Sequence, residues 1–99
     1  MAKYRKRPVV IEAFQMTKDA GHDNREWPEW LHVAWNREWG EVGALWAVPG
    51  TPEQSLFAIG TLEGTHDVSW DDWIIQGVEG ELYPCKPEIF AKTYELVEA

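Results

Sequence analysis

The sequence has little cysteine and little positive charge, and it contains no long apolar run. Cys85 is the only cysteine among 99 residues, so an internal disulfide is excluded. No stretch approaches the roughly 18 apolar residues of a membrane-spanning helix, and no apolar segment follows the basic N-terminus as it would in a secretory signal. We therefore expect a single cytoplasmic domain over residues 1–99, without membrane contact, that is stabilised by packing.

Motifs that mark catalysis, metal binding or phosphate binding are also missing. The three histidines show none of the spacings typical of zinc sites. Cys85 lacks a thiol-protease signature. Glu12 and Glu63 are the carboxylates that would suit a general base in a small hydrolase, but neither lies in a known catalytic motif. The sequence therefore predicts a non-enzymatic protein with no catalytic residues, no metal site and no cofactor.

Positive charge is concentrated at the start of the chain. The first 18 residues contain five Lys or Arg and one Glu, a charge of +4, so the other 81 residues carry −12 to reach the net charge of −8. An acidic body repels the phosphates of nucleic acids at long range. General nucleic-acid binding is therefore not expected. The basic cluster can either hold one small anion or pair with acidic side chains on the surface.

The first half of the chain predicts one strand and one helix. Residues 8–16 are rich in β-branched and aromatic side chains and mostly apolar on both faces, which predicts a central strand. Residues 18–26 are polar and predict a loop. Over residues 27–39 the apolar positions repeat at helical spacing, between Pro28 in the first turn and Gly40 at the end. This pattern predicts an amphipathic helix at about 27–39.

The second half of the chain predicts short strands joined by turns. Two glycines between alternating apolar runs indicate a hairpin, and Pro84 places the second arm of that hairpin at a sheet edge. The pattern as a whole predicts an α+β fold, with a small antiparallel sheet that can curl into a partly open barrel, one amphipathic helix and a short C-terminal helical turn. The expected elements are strands at 45–48, 55–61, 66–69, 73–76 and 81–85, turns at 49–52, 62–64, 70–72 and 77–80, a short helix from Pro87, and a last strand at 94–97.

Two kinds of side chain stand out as candidate ligand contacts. Glu12 lies between apolar neighbours and needs a partner if it is buried, either a cation such as Lys86 or a ligand. Seven tryptophans exceed what a core of this size readily encloses, so some are expected at the surface. An exposed indole can stack on a nucleobase or anchor a protein partner. For each single tryptophan, packing in the core is the alternative.

Two segments carry motifs that are specific in combination. Residues 3–13 read Lys-Tyr-Arg-Lys-Arg-Pro-Val-Val-Ile-Glu-Ala, and residues 61–95 contain Asp-Trp-Ile-Ile, Gly-Val-Glu-Gly-Glu and Tyr-Pro-Cys-Lys-Pro. Together they resemble a family of small phage and prophage proteins, in which Pro-Gly-Asp followed by Tyr or Trp precedes a Gly-Val-x-Gly-Glu hairpin. The chain has Trp70-Asp71 where Pro-Gly is usual. This departure puts the geometry of the turn in question, because aspartate tolerates a positive φ less readily than glycine.

The resemblance implies a phage origin, a place in the host cytoplasm and stoichiometric action on the host. By analogy with other small phage proteins, two functions are expected. The first is capture of a small anionic, nucleotide-derived defence signal in a basic and aromatic pocket, and the second is inhibition of a host protein through exposed tryptophans and acidic residues. Self-association is compatible with either function. The residues predicted to contact a ligand are Arg5, Lys6, Glu12, Trp30, Thr61, Glu63, Asp72, Trp73, Lys86 and Tyr94. Among them, Arg5, Lys6 and Lys86 are expected to contact phosphate, and Trp30, Trp73 or Tyr94 to stack on a base.

Overall fold

The computed structural model describes residues 2–5, 8–48 and 57–97, and over these residues the chain forms short strands and short helices. This mixture confirms the predicted α+β class. The strands are β1 (Glu12–Gln15), β2 (Leu45–Ala47), β3 (Phe57–Thr61), β4 (Gly64–Val68), β5 (Trp73–Gln76) and β6 (Leu82–Cys85). The helices are α1 (Lys18–His22), α2 (Glu29–Trp35) and α3 (Pro87–Thr93), with a 3-10 turn at Asn24–Glu26.

The six strands form two antiparallel sheets, with the strand orders β1-β5-β6 and β2-β3-β4. The hairpin between β5 and β6 is closed by Gly77 N, which donates to Glu81 O at 2.8 Å. β5 begins and ends where the sequence predicts. β6 is an edge strand of its sheet, and an edge tolerates Pro84 because proline has no N–H for the ladder. Within the described residues the two sheets stay open and do not close into a barrel.

The core lies where α2 and both sheets meet. Leu31 of α2, Ile59 of β3 and Ile74 of β5 are fully buried. They belong to one cluster, so the amphipathic face of α2 covers apolar side chains from each sheet. The cluster of buried apolar residues comprises Met16, Trp27, Leu31, Ala34, Leu45, Phe57, Ile59, Val68, Ile74 and Leu82.

Aromatic rings enclose one side of this core. The ring of Trp27 packs edge-on against Trp35 and Phe57, at centroid distances of 5.6 and 6.0 Å. Its indole N–H donates to the carbonyl of Ala20 at 2.8 Å, which satisfies the one polar group of the buried ring. Trp39 is 67% exposed, so the expectation that some tryptophans lie at the surface is confirmed.

The strand predicted at 8–16 is shorter and is not central. Within the described residues β1 pairs with β5 alone and forms an edge of its sheet. The ladder begins at Glu12 because Gln76, its partner, is the last residue of β5 before the hairpin turn. Val9 and Val10 therefore extend beyond the ladder and are 51% and 74% exposed. The prediction of a central strand is wrong.

The segment between β1 and α2 is helical rather than a loop. Thr17 accepts a hydrogen bond from Ala20 N at 3.2 Å and caps α1. Asp23 caps the 3-10 turn by accepting from Arg25 N at 3.1 Å. The polar residues that suggested a loop thus act as helix caps, because short polar side chains bond the free N–H groups of a first turn. The loop prediction is wrong.

α2 lies within the predicted helix but ends one turn earlier. The His32 carbonyl accepts from Asn36 N at 3.2 Å and from Asn36 Nδ2 at 2.9 Å, so the Asn36 side chain adds a bond to the last turn, where the helix ends. Gly40, the predicted end, lies in the loop that follows. This loop packs closely on β3 at Gly60, where an added Cβ would collide with the Glu41 carbonyl.

The last strand predicted at 94–97 is not formed. α3 runs to Thr93, whose hydroxyl donates to the Ile89 carbonyl at 2.7 Å. Residues 94–97 pair with neither sheet, and Leu96 and Val97 are 83% and 70% exposed. Apolar side chains favour a strand only where a neighbouring strand can pair with them. The predicted turn at 49–52 and the predicted start of a strand at 55–56 lie outside the described residues.

Candidate functional site

Asp72 is a buried acid in the turn that joins β4 to β5. Its side chain is 3% exposed and accepts hydrogen bonds from Ser69 N at 2.9 Å and Lys86 Nζ at 3.1 Å. Two backbone hydrogen bonds fix the same turn to the end of β1, one from Asp71 N to Met16 O and one from Met16 N to Asp72 O. The Asp72 carboxylate therefore closes the turn and links it to the residue before α3.

Asp71 occupies the position where the resembled motif has glycine. Its φ is +74°, the left-handed region that glycine enters freely and that aspartate enters at a steric cost. The chain therefore adopts a glycine-type turn at this position without the glycine. The replacement of glycine by Asp71 therefore does not prevent the positive φ at this position.

α3 carries the aromatic part of the candidate site. Trp73 of β5 stacks face to face on Phe90, with ring centroids 4.0 Å apart and ring planes 5° apart. Phe90 also stacks on Tyr94, at 4.9 Å. Trp73 and Tyr94 are half-buried, so part of each ring is accessible. Four predicted site residues thus meet around Phe90 and α3, and we call this group the α3 cluster: Asp72, Trp73, Lys86 and Tyr94.

Sequence reasoning missed Phe90, the ring that joins the two predicted aromatic residues. Phe90 follows Lys86 by four residues and precedes Tyr94 by four. Residues at this spacing share one face of a helix. The spacing around the predicted helix at Pro87 was therefore a signal that could have identified Phe90 as part of the site.

Burial suppresses ionisation of two side chains on β6. It raises the pKa of Tyr83 to about 12, and the neighbouring Tyr94 hydroxyl adds to the shift. Burial also raises the pKa of the Cys85 thiol, and the nearby Asp72 carboxylate acts in the same direction. Because the thiolate is the reactive form of cysteine, this environment disfavours nucleophilic chemistry at Cys85.

Thr61 and Glu63 lie in the turn between β3 and β4, away from Phe90. Thr61 Oγ1 donates to Gly64 O at 2.8 Å and accepts from Glu63 N at 3.1 Å. The hydroxyl thus closes the turn, which confirms the turn predicted at 62–64. Glu63 is exposed, and Leu62 beside it is 91% exposed.

Glu12 and Trp30 line one cavity of about 560 Å³ together with Arg37. Glu12 is exposed, so it does not need the partner that a buried carboxylate would require, and Lys86 is paired with Asp72 instead. The indole nitrogen of Trp30 is buried and has no hydrogen-bond partner among the described residues.

Arg5 and Lys6, the predicted phosphate contacts of the N-terminal segment, do not join these groups. Arg5 is exposed and lines none of the four cavities described here. Lys6 lies outside the described residues. Of the two described basic residues that were predicted to contact phosphate, Lys86 lies beside predicted aromatic residues and Arg5 does not.

A groove of about 650 Å³ lies between the β3–β4 turn and the β5–β6 hairpin. Its apolar wall includes Val42, Leu62, Leu82 and Pro84. Its carboxylates come from both hairpins, and Glu81 in addition accepts a hydrogen bond from Glu79 N at 2.9 Å. We call this feature the acidic groove, after three lining residues, Glu63, Glu79 and Glu81; its other polar lining residues are Arg37, Thr61, His66 and Tyr83.

Among the described residues that line the four cavities, acids outnumber bases in each cavity. A cavity with an excess of one charge concentrates the field of that sign and disfavours a ligand of the same sign. These cavities are therefore better suited to a neutral or cationic group than to a free anion. The lining charges are Glu12, Glu29 and Arg37 in the first cavity, Asp19, Asp23, Glu26 and Arg25 in the second, Glu63, Glu79, Glu81 and Arg37 in the acidic groove, and Glu81 in the fourth.

Residues 2–5, 8–48 and 57–97 contain neither a metal-binding group of side chains nor a membrane-spanning helix. In this part of the chain no three His, Cys, Asp or Glu side chains are grouped so that they could hold a metal ion. No helix in the same residues is long and apolar enough to cross a membrane.

Comparisons of the chain with protein-family models, with curated proteins and with solved structures find no match. The resemblance to small phage proteins therefore stays a prediction. The α3 cluster and the acidic groove are the two candidate binding sites of the described chain.

Proposed function

We propose that the protein is a non-enzymatic interaction module that binds a basic, partly apolar segment of another protein in the acidic groove. The observation that carries this proposal is the combination of an apolar wall with three carboxylates from two hairpins. If the phage resemblance holds, the partner is a host protein, and the complex forms in the host cytoplasm and inhibits that protein.

The two parts of the groove would contribute differently to binding. Apolar side chains gain free energy when a partner covers them, and Leu62, which is 91% exposed, offers such a contact. Carboxylates at the edge of an interface mainly guide the approach of a basic partner and select against an acidic one. A basic segment with one or two large apolar residues would satisfy both requirements.

A charge-reversal experiment tests this proposal. A tagged protein is produced in host cells, and the host proteins that co-purify are quantified for the wild type and for the double variant Glu63→Lys with Glu79→Lys. Two other exposed acids, Glu38 and Glu95, lie outside the four cavities, so changing both to lysine makes a control with the same net charge.

We expect the yield of the specific partner to fall about ten-fold or more in the groove variant, because like charges at an interface are strongly unfavourable. The control variant should retain the wild-type yield. Equal yields from the groove variant and the control would contradict the proposal, since the partner would then not depend on these carboxylates.

Sequestration of a nucleotide-derived signal is the second candidate, and the α3 cluster favours it. The Lys86 side chain is 53% exposed, and its ammonium has donors beyond the one that Asp72 uses. A base that stacked on Trp73 or Tyr94 would bring a phosphate toward Lys86, with Arg5 and Lys6 as further cations from the N-terminal segment.

Native mass spectrometry with ATP and with a cyclic dinucleotide as probes tests the second candidate. Adducts that form with the wild type and are lost with Trp73→Leu would support it, whereas the control Trp39→Leu changes an exposed indole outside the cluster. A bare protein at millimolar probe concentrations would exclude this function.

A further inference from the structure

The N-terminal segment of the chain has the chemistry that the acidic groove requires of an occupant. Residues 2–10, which we call the basic arm, contain four cations and no acid: Lys3, Arg5, Lys6 and Arg7. The described residues of the arm are all exposed, with Tyr4 at 95% and Val10 at 74%. The described residues of the arm therefore present positive charge, at Lys3 and Arg5, beside exposed large side chains such as Tyr4.

The charges of the arm and the body are complementary. The first 18 residues carry +4 and the remaining 81 carry −12. The groove matches the arm in a second respect. Its carboxylates border an apolar wall against which a tyrosine ring can pack.

We infer that the basic arm of a second copy of this chain docks in the acidic groove, with Tyr4 against the apolar wall and the flanking cations beside Glu63, Glu79 and Glu81. Reciprocal docking of two arms in two grooves produces a symmetric dimer, since each copy offers the same two surfaces. The inference goes beyond the proposed function, because it assigns the same groove an occupant from this chain itself.

The placement of the arm favours a second copy over the arm's own groove. Pro8, Val9 and Ile11 line a separate cavity with Tyr83 and Tyr94, so the arm leaves the body at that cavity. Lys3, Tyr4 and Arg5 are exposed and do not line the groove of their own chain. The six residues before Pro8 can span about 20 Å when extended, which is enough to reach across an interface to a neighbouring copy.

Two reversed variants of the full-length chain test this arrangement. The arm variant is Lys3→Glu with Arg5→Glu, and the groove variant is Glu63→Lys with Glu79→Lys. Each alone places like charges at the docking surface, so its dimer should be weaker by about ten-fold or more. Mixed together, the two variants restore opposite charges at both docking surfaces of one heterodimer.

Sedimentation velocity at low and high salt measures the association of each protein and of the mixture. We expect a salt-sensitive wild-type dimer, two weakened variants and a heterodimer of wild-type affinity in the mixture. The matched controls are Lys18→Glu with Lys92→Glu for the arm and Glu38→Lys with Glu95→Lys for the groove, and both should dimerise as the wild type does. A monomeric wild type, or a mixture that does not associate, would overturn the inference.

The two proposals fail in distinguishable ways. If the groove variant loses its host partner while the wild type is monomeric, the groove binds a foreign segment and the inference about the arm is wrong. If charge reversal abolishes the dimer but leaves the yield of the host partner unchanged, the arm occupies the groove and the proposed function is wrong.

Discussion

Helices α2 and α3 are each seven residues long, yet they are attached to the sheets in different ways. α2 buries Leu31 and Ala34 in the core, whereas α3 has no buried residue. α3 is held instead by the stack of Phe90 on Trp73 and by the ion pair between Lys86 and Asp72. Isolated helices of this length are unstable in water, so each depends on its tertiary contacts.

The difference shows how one small domain can combine a rigid region and a more easily opened one. Burial of apolar side chains couples α2 to the unfolding of the whole core. One aromatic stack and one ion pair couple α3 less strongly to the unfolding of the core. We therefore expect α3 to open locally at a lower free energy than α2. Lys86 and Tyr94, the predicted ligand contacts at the two ends of α3, therefore flank the less stable of the two helices.

The largest effect is expected from truncating the buried contact of α2. Leu31→Ala should lower the free energy of unfolding by about 3 kcal/mol, because it removes a fully buried side chain and leaves a cavity. Urea denaturation measures this loss. Val33→Ala on the exposed side of the same helix should cost less than about 0.5 kcal/mol. Similar losses for the two variants would mean that the core does not hold α2.

Asp72→Ala should have the next largest effect, a loss of about 2 kcal/mol, because it leaves the half-buried Ser69 N without its acceptor and Lys86 without its partner. Lys86→Met, which removes the cation but leaves the Asp72 carboxylate its hydrogen bond from Ser69 N, should cost less, about 1 kcal/mol. Urea denaturation of both variants compares the two contacts. A larger loss for Lys86→Met would mean that the ion pair, rather than closure of the turn, is the main role of Asp72.

Phe90→Ala should cost about 1 kcal/mol, because it removes a stacked ring from a half-buried site. Hydrogen exchange should show that the amides of α3 lose protection while those of α2 keep it. Ile89→Ala, at an exposed position next to it, is the control. Loss of protection throughout the chain would show that α3 is coupled to the core and would remove the contrast between the helices.

The smallest effect is expected at Asp71, and it is a gain. Asp71→Gly should raise the free energy of unfolding by a few tenths of a kcal/mol to about 1 kcal/mol, because glycine relieves the cost of a positive φ. Asp71→Val, a β-branched residue at the same φ, should be destabilising. The denaturation midpoints of the two variants should therefore shift in opposite directions, and a loss of stability in the glycine variant would mean that the aspartate side chain contributes to the turn.

Local patterns predicted the elements whose stability depends on nearby residues. The hairpin around Gly77 and Gly80, the edge position of Pro84 and the helix from Pro87 all follow from turn chemistry and from the backbone of proline. The failures at residues 8–11 and 94–97 have one cause. Apolar side chains there resemble a strand, but among the described residues no neighbouring strand pairs with them.

The candidate site was predictable only in part, because its members come from distant parts of the chain. The resemblance to phage proteins drew attention to Asp72, Trp73, Lys86 and Tyr94, which the structure brings together. It also drew attention to Thr61, whose hydroxyl closes a turn. Neither composition nor spacing indicates that Lys86 bonds Asp72 rather than Glu12, since that choice depends on the packing of α3 beside β5.

The sequence by itself determined the α+β class, the acidic body with its basic start, and the local turns, because these depend on composition and on interactions between near neighbours. Tertiary structure decided the rest: the edge position of β1, the stack that holds α3, and the groove formed by two hairpins about 15 residues apart in the chain. Each of these depends on which strands pair, and strand pairing is settled by burial of the whole apolar surface rather than by any single segment.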